Sequence, residues 1–209
     1  GMDAEERFDL LDARGRPLRD GDGRPLTKAR RAVHRDGDWH QAVHVWVLFQ
    51  DTWELVLQQR NPDKDSWPGM WDISSAGHIS AGDGALDSAQ RELHEELGLQ
   101  MPKEAFQPLF TYRQEFAGTF HGRHFVNNEF NHVFLVTFTA PLPREAFRLQ
   151  EEEVADVKFV AFPELKRLLE AGDPDHITYL AGLDKHDQQY RAFFDILEAR
   201  RARLARGKP

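Results

Sequence analysis

The 209-residue sequence contains no cysteine. Disulfide bonds, thiolate metal sites and a cysteine nucleophile are therefore excluded, and such a composition is typical of a reducing compartment. The sequence also lacks any run of about 18 apolar residues, the length that a membrane-spanning helix needs. Its acidic N-terminal stretch does not resemble a signal peptide. Together these absences predict a cytoplasmic protein without a membrane partner.

The chain has no excess of basic residues either. It contains 35 Asp and Glu against 27 Lys and Arg, which gives a formal net charge of −8. A chain of this charge does not produce the positive field that attracts nucleic acid, so we expect no nucleic-acid partner. Its length fits one domain with a sizeable core. We predict a single domain over 1–209, with a strand-and-loop extension over 1–42 and a helix with a basic tail over 185–209.

The hydrophobic pattern predicts strands on both sides of a central helix. The predicted strands cover 7–12, 43–49, 54–60, 71–75, 106–115, 128–139 and 157–161. The predicted helices cover 84–97, 162–169 and 187–206, and the segments 20–31, 61–69 and 118–123 are predicted as loops. This order indicates the α/β class, arranged as an α/β/α sandwich around a mixed sheet.

The central helix carries an apolar face and an acidic cluster. The predicted apolar face consists of Ala85, Leu86, Ala89, Leu93 and Leu97. Glu92 and Glu96 are i, i+4 neighbours, and Glu95 lies beside them. Like charges at this spacing destabilise a helix by roughly 0.2–0.5 kcal/mol. Because Mg²⁺ is held by a few carboxylates, waters and substrate phosphates, the cluster predicts a divalent-metal site. The alternative is a solvated acidic helix face.

Residues 77–99 resemble the Nudix box: G, five residues, E, seven residues, then R-E-apolar-x-E-E-x-G-apolar. The matching positions are Gly77, Arg91, Glu92, Leu93, Glu95, Glu96, Gly98 and Leu99. Asp83 replaces the first glutamate, a supporting residue of the metal site, and this change puts metal affinity rather than chemistry in doubt. The resemblance implies the Nudix fold and Mg²⁺ or Mn²⁺ on Glu92, Glu95, Glu96 and the Gly77 carbonyl. It also implies that Arg91 orients a box carboxylate, whereas a plain surface pair with Glu95 is the alternative.

Within this superfamily the chain is similar to the isopentenyl-diphosphate isomerase branch, and especially to its isomerase-like hydrolases in bacteria and in a plant protein. The similarity covers about 6–200 and includes Trp-Pro-Gly at 67–69 and Gly-His at 77–78. It implies that Arg60 and Lys64 bind a diphosphate. His34, His40 and His78 stand where the isomerase has metal-binding histidines, and His78 is also a candidate phosphate contact.

The isomerase chemistry does not carry over. Ala76 occupies the position of the isomerase's catalytic cysteine. Asn127 replaces a metal-binding glutamate, so of the isomerase's two glutamates in this segment only Glu129 is present. Protonation and deprotonation across a double bond need an acid and a base, and here the acid is missing. The intact acidic box therefore favours hydrolysis. Glu129, Glu152 and Glu153 are candidate general bases, and a plain surface carboxylate is the alternative for each.

These observations predict metal-dependent hydrolysis of a diphosphate linkage in a nucleoside diphosphate derivative or an isoprenyl diphosphate. The alternatives are isopentenyl-diphosphate isomerase activity and a non-catalytic module that binds a nucleotide or diphosphate. Trp39, Trp46, Trp67 and Trp71 are candidates to contact a base or an isoprenoid tail, although core packing explains them equally well. Lys28, Arg30 and Arg31 form either a solvated loop or an electrostatic lip for an anionic substrate. A homodimer is common in the superfamily and is possible here.

Overall fold

The computed structural model describes residues 6–176 and 188–207. Its strands are β1 (Arg7–Asp9), β2 (Thr27–Ala29), β3 (Trp39–Phe49), β4 (Glu54–Arg60), β5 (Trp71–Asp72), β6 (Ser75–His78), β7 (Gln107–Phe120), β8 (Arg123–Phe138) and β9 (Val154–Ala161). Its helices are α1 (Arg30–Asp36), α2 (Ala85–Leu97), α3 (Phe162–Glu170) and α4 (Gln188–Ala205). Two single 3₁₀ turns cover Lys103–Ala105 and Arg144–Ala146.

Seven strands form one mixed sheet, and β1 and β2 form a separate pair. The order β5-β4-β3-β8-β7 makes the main path, with β6 paired to β3 and β9 paired to β4. The β3–β8 pair is parallel, whereas the other pairs are antiparallel. The predicted mixed central sheet is therefore confirmed.

The two faces of the sheet carry two separate apolar cores. On β3, Trp46 and Leu48 face the core that contains α3 and α4, whereas Val45 and Val47 face the core that contains α2. This alternation follows from the two-residue period of a strand, and a strand covered on both sides is apolar almost throughout. Helices thus cover both faces, which confirms the α/β/α sandwich. Among the described residues, no helix is long and apolar enough to span a membrane.

The structure corrects the prediction of a loop over 20–31. The short strand β2 lies inside this range, and α1 begins at Arg30. Helix α1 is only seven residues long, and its N-cap residue Ala29 provides no side-chain hydrogen bond. Local signals for a helix are therefore weak. Burial of Val33 and His34 stabilises it instead, and Gly37 ends it in the left-handed conformation with φ 77°.

The predicted glycine loop over 118–123 is also wrong. β7 continues to Phe120 and β8 starts at Arg123, so the two strands form a long hairpin with a two-residue turn. His121 and Gly122 both have positive φ, at 51° and 74°. This is the backbone that a tight hairpin turn with right-handed strand twist requires. His-Gly is a weaker sequence signal for such a turn than Asn-Gly.

The box helix matches its prediction with one exception. It begins after Gly84 and ends at Leu97, where Gly98 adopts the left-handed conformation with φ 74°. Ala89, Leu93 and Leu97 are fully buried, but Leu86 is 36% exposed. At about 100° per residue Leu86 lies at the same side of the helix as Leu93 and Leu97. It is the second residue of the helix, so its exposure follows from its place in the first turn and not from its angle around the helix.

Candidate active site

A polar cavity of about 350 Å³ brings most of the predicted site residues together. Its walls come from α1 and α2, from strands β3 to β8, and from the loop after β4. The three box glutamates and Arg91 lie on one side of it. Glu129, His34, His44 and His78 also line the cavity, and Trp67 and Phe125 add an aromatic surface.

Glu96 is the most firmly held of the box carboxylates. Its Oε1 accepts hydrogen bonds from Ser75 Oγ (2.7 Å), the Ala76 N–H (3.1 Å) and Gln58 Nε2 (3.0 Å). Only 7% of the residue is exposed. Three donors from β4 and β6 thus fix the carboxylate in one orientation, which is the preorganisation that a metal ligand needs.

The close packing of like charges changes the protonation of the box. Burial and the nearby Glu96 raise the pKa of Glu92 to about 9, and burial raises the pKa of Glu96 to about 7. Glu95 is exposed at the mouth of the same cavity. A bound cation would favour the ionised carboxylates and relieve their repulsion. Because its donors are carboxylate oxygens, the set fits Mg²⁺ or Mn²⁺.

Gly77 and Arg91 both contact Glu92. A Cβ atom at Gly77 would lie 2.4 Å from the Glu92 Cδ atom, so a side chain on β6 at this position would displace the Glu92 carboxylate. Arg91 Nη2 lies 3.4 Å from Glu92 Oε1, and Arg91 Nη1 lies 3.2 Å from Asp83 Oδ2. Arg91 therefore contacts the box residue Glu92 and, among the described residues, forms no ion pair with Glu95. Its role in orienting Glu92 stays a prediction. The shorter Asp83 side chain still reaches Arg91.

Three histidines from separate elements form a second cluster. His34 of α1, His40 of β3 and His78 of β6 place their candidate ligand atoms within 4.8 Å of one another. Glu129 Oε2 lies 3.1 Å from His40 Nε2 and 3.3 Å from His78 Nε2. Burial lowers the pKa of His34 to about 2, so this imidazole is neutral. Burial by itself would raise the pKa of Glu129, but the hydrogen bonds of His40 and His78 lower it well below its usual range.

The comparisons with known proteins agree with this geometry. The family model described as NUDIX domain matches residues 38–183. The chain belongs to the Nudix family. It is 50% identical over 197 residues to Nudix hydrolase 3 of Arabidopsis thaliana, a match that covers 94% of this chain and 24% of that protein. The chain therefore spans about a quarter of this plant relative.

Two further relatives match over most of their own length. An uncharacterised Nudix hydrolase of Clostridium acetobutylicum is 33% identical over 168 residues, which covers 79% of this chain and 75% of that protein. The isopentenyl-diphosphate Delta-isomerase of Streptomyces avermitilis is 32% identical over 161 residues, which covers 76% of this chain and 75% of that protein. The expectation of a Nudix hydrolase with relatives in the isomerase branch is confirmed at the level of the family.

A solved structure supports the fold independently. The crystal structure of a Deinococcus radiodurans protein superposes with a TM-score of 0.60 at 18% sequence identity. The match covers 85% of this chain and 96% of that protein. At this identity the likeness concerns the fold alone, and together with the family match it confirms the Nudix fold.

The candidate diphosphate-binding residues of this Nudix chain line the cavity but are already engaged. Arg60 Nε donates to the Ser66 carbonyl oxygen at 3.0 Å, and Arg60 Nη1 lies 3.3 Å from Asp72 Oδ2. Lys64 forms an ion pair with Glu153. Arg60 thus orders the loop after β4, and both side chains keep a fixed position at the cavity wall.

The structure separates the remaining candidates. Among the possible bases, Glu129 and Glu153 line the cavity, whereas Glu152 is exposed and does not. Of the proposed electrostatic lip, only Arg30 lines the cavity. Lys28 pairs with Asp36 and Asp38 at 2.5 and 2.6 Å, and Arg31 is exposed.

Only one of the four candidate tryptophans contributes to the cavity, and that residue is Trp67. Trp46 is fully buried in the core. Trp39 packs on Phe130, with ring centroids 5.1 Å apart, and Trp71 lies beneath the Lys158 ammonium at 4.3 Å. For Trp46 and Trp71 the core-packing alternative is correct, whereas Trp39 is half-buried and belongs to neither of the two cores.

Sequence reasoning missed the residues that support the site from neighbouring strands. Gln58 and Ser75 hold Glu96, and Gln114 lies beside Glu129 on the paired strand. Gln58 stands directly after an apolar run on β4, and a buried polar residue at such a place is a usable signal. Nothing in the sequence around Gln114 indicates that it faces the cavity.

Proposed function

We propose that this chain catalyses the divalent-metal-dependent hydrolysis of a diphosphate linkage in a small molecule, either a nucleoside diphosphate derivative or an isoprenyl diphosphate. The observation that carries the proposal is Glu96, a buried carboxylate that three donors hold within a cavity containing the other box glutamates. The same cavity presents Arg60 and Lys64, whose charges suit phosphate oxygens.

In such a reaction the residues of the cavity have separate roles. Glu92, Glu95 and Glu96, with the Gly77 carbonyl, would hold Mg²⁺ or Mn²⁺, and the bound ion would lower the pKa of water and neutralise phosphate charge. Arg91 orients Glu92. Arg60 and Lys64 bind the diphosphate, and Lys64 keeps Glu153 at the cavity wall. From that position Glu153 accepts the proton of the attacking water.

The histidine cluster provides a second set of possible ligands. Three imidazoles and the Glu129 carboxylate suit Mn²⁺ or a similar transition-metal ion better than Mg²⁺. Because Glu129 is engaged by His40 and His78, we assign it to this cluster rather than to proton abstraction. His78 belongs to the same cluster, and its role as a phosphate contact stays a prediction.

The alternatives fit the residues less well. Relatives of the isomerase type exist, but Ala76 cannot supply the acid that isomerisation needs. A non-catalytic module does not require a buried carboxylate with three donors. A cytoplasmic location, a homodimer and a single domain over 1–209 stay predictions.

Replacement of Glu96 by glutamine tests the proposal. Glu96→Gln removes a metal-binding charge while keeping the shape of the side chain, so hydrolysis should fall by at least about 100-fold. Release of phosphate or pyrophosphate with Mg²⁺ or Mn²⁺ is the readout, across nucleoside diphosphates and triphosphates, nucleotide sugars and isopentenyl diphosphate.

The matched control is Glu104→Gln, because Glu104 is exposed on a 3₁₀ turn outside the cavity. This variant should keep the activity of the wild type. Full activity in Glu96→Gln with an unchanged thermal midpoint would refute the site assignment. Conversion of isopentenyl diphosphate to its isomer would favour the isomerase alternative.

A further inference from the structure

Two buried amides line the cavity beside the histidine cluster. Gln114 on β7 and Asn127 on β8 are each only 4% exposed, and both side chains belong to the cavity wall. In the hairpin register Gln114 is opposite Glu129, and Asn127 lies two residues before Glu129 on the same face of β8. The two amides therefore form a part of the cavity wall next to Glu129.

The two amides satisfy each other only in part. Asn127 Nδ2 donates to Gln114 Oε1 at 3.3 Å. Within residues 6–176 and 188–207, Gln114 Nε2 and Asn127 Oδ1 have no hydrogen-bond partner. Two amides joined by a single hydrogen bond leave one NH₂ donor and one carbonyl acceptor free. A buried polar group without a partner costs free energy, so this pair is suited to a ligand that supplies both hydrogen bonds.

An aromatic surface lies in the same cavity. Trp67 and Phe125 both line it, with their ring centroids 6.0 Å apart and their planes at 83°. Flat apolar faces next to one donor and one acceptor match a planar heterocycle with a donor–acceptor edge. An isoprenyl chain would contact the aromatic surface but would leave both amides unpaired.

We propose that Gln114 and Asn127 determine the substrate specificity of this active site. The two amides bind the donor–acceptor edge of the substrate's organic group. That group is a heterocycle of the nucleobase type. The inference rests on the proposed diphosphate hydrolysis and selects the nucleoside diphosphate derivatives over isoprenyl diphosphates.

Replacement of both amides is the direct test. Gln114→Met with Asn127→Leu removes the donor and the acceptor together, which leaves no orphan amide and preserves side-chain volume. The kcat/KM for ADP, GDP, CDP and UDP should fall about 10- to 100-fold, mainly through KM, because a binding contact is lost. The kcat/KM for isopentenyl diphosphate should stay the same or rise.

The matched control is Asn131→Leu. Asn131 is a fully buried amide on the same face of β8, but it lies outside the cavity wall. This variant should keep the ratio of nucleoside to isoprenoid turnover at the wild-type value. An unchanged ratio in the double variant, or a preference of the wild type for isopentenyl diphosphate, would overturn the proposal.

A binding measurement tests the pair without turnover. Calorimetry should show that nucleoside monophosphates bind the wild type at least about 10-fold more tightly than ribose 5-phosphate does. Equal affinities would overturn the proposal even if the double variant failed to fold. An absence of hydrolysis for every diphosphate would contradict the proposed function instead, and calorimetry would still decide the role of the amides.

Discussion

At the level of single residues, the space between neighbouring elements limits which side chain a position of the site can carry. Gly77 shows this most directly, because the backbone of β6 passes where a Cβ atom would lie 2.4 Å from the Glu92 carboxyl carbon. The glycine of the box thus leaves space for the Glu92 carboxylate and does not serve a left-handed backbone, since its φ lies outside the positive range.

The change Gly77→Ala should impair activity more than stability. The added methyl group must displace the Glu92 carboxylate from the cation position, so we expect hydrolysis to fall about 10- to 100-fold, as for displaced supporting residues of metal sites. Titration of Mn²⁺ with the variant should show a weaker affinity. The measurements are kcat/KM as a function of Mg²⁺ or Mn²⁺ and calorimetry.

Gly21→Ala is the control for this prediction, because a Cβ atom at Gly21 meets nothing within 4 Å. It should retain the metal dependence of the wild type. If Gly77→Ala retained it as well, Glu92 would not contribute to metal binding.

At the level of elements, the long β7–β8 hairpin extends over the cavity and meets the loop after β4. His121, at the hairpin turn, donates from Nε2 to the Lys64 carbonyl oxygen at 2.7 Å. The hairpin also packs Phe116 and Phe120 against Trp67, with ring centroids 4.6 and 5.2 Å apart. The β7–β8 hairpin thus holds the loop after β4, which carries Lys64, a proposed phosphate ligand.

The change His121→Asn should loosen this loop. Asparagine tolerates the positive φ of the turn but is too short to reach Lys64, so the backbone is kept and the contact is lost. We expect KM for the diphosphate substrate to rise about 2- to 10-fold, the value of one hydrogen bond, with kcat changed less. Steady-state kinetics gives both parameters.

His124→Asn is the matched control, since His124 is exposed in the same hairpin and does not line the cavity. It should behave like the wild type. An equal change of KM in both variants would mean that the contact with Lys64 is irrelevant to binding.

At the level of the whole molecule, α4 completes the core beneath the site. Tyr190, Phe193 and Leu197 of α4 are fully buried, and the Tyr190 hydroxyl forms a hydrogen bond with His44 Nδ1 on β3. The family match ends at residue 183, before this helix. A single domain over 1–209 stays a prediction, and cooperative unfolding would test it.

His44 should make the stability of the molecule depend on pH. Burial lowers its pKa to about 4 from 6.5, although Glu129 and Asp72 act in the opposite direction. The unfolded chain therefore binds the proton more readily, so the stabilisation is complete above pH 6.5 and is lost as the pH falls towards 4. Between pH 7.5 and 5 this histidine alone should lower the free energy of unfolding by about 2 kcal/mol.

Urea unfolding of the wild type and His44→Gln at both pH values measures this contribution. Glutamine does not titrate and can still accept from Tyr190, so the loss between pH 7.5 and 5 should be about 2 kcal/mol smaller in the variant. The exposed His124→Gln should lose as much stability as the wild type. Equal losses in all three proteins would exclude His44 as the cause.

The sequence by itself determined the features that are local along the chain. The spacing from Gly77 to Leu99 fixed the box helix, its end at Gly98 and the convergence of Glu92, Glu95 and Glu96, because a helix repeats every 3.6 residues. The apolar runs of β3 and β8 likewise indicated a sheet covered on both faces.

Only the tertiary structure decided which distant residues share the cavity. The cluster of His34, His40, His78 and Glu129 is assembled from α1, β3, β6 and β8. The resemblance to the isomerase branch suggested the three histidines as ligands, but periodicity could not show that they meet. Likewise the pairing of Gln114 with Asn127 depends on the hairpin register, and α1 exists because packing buries Val33 and His34. Contacts between remote segments depend on how the elements pack, and the period of a single segment carries no information about that.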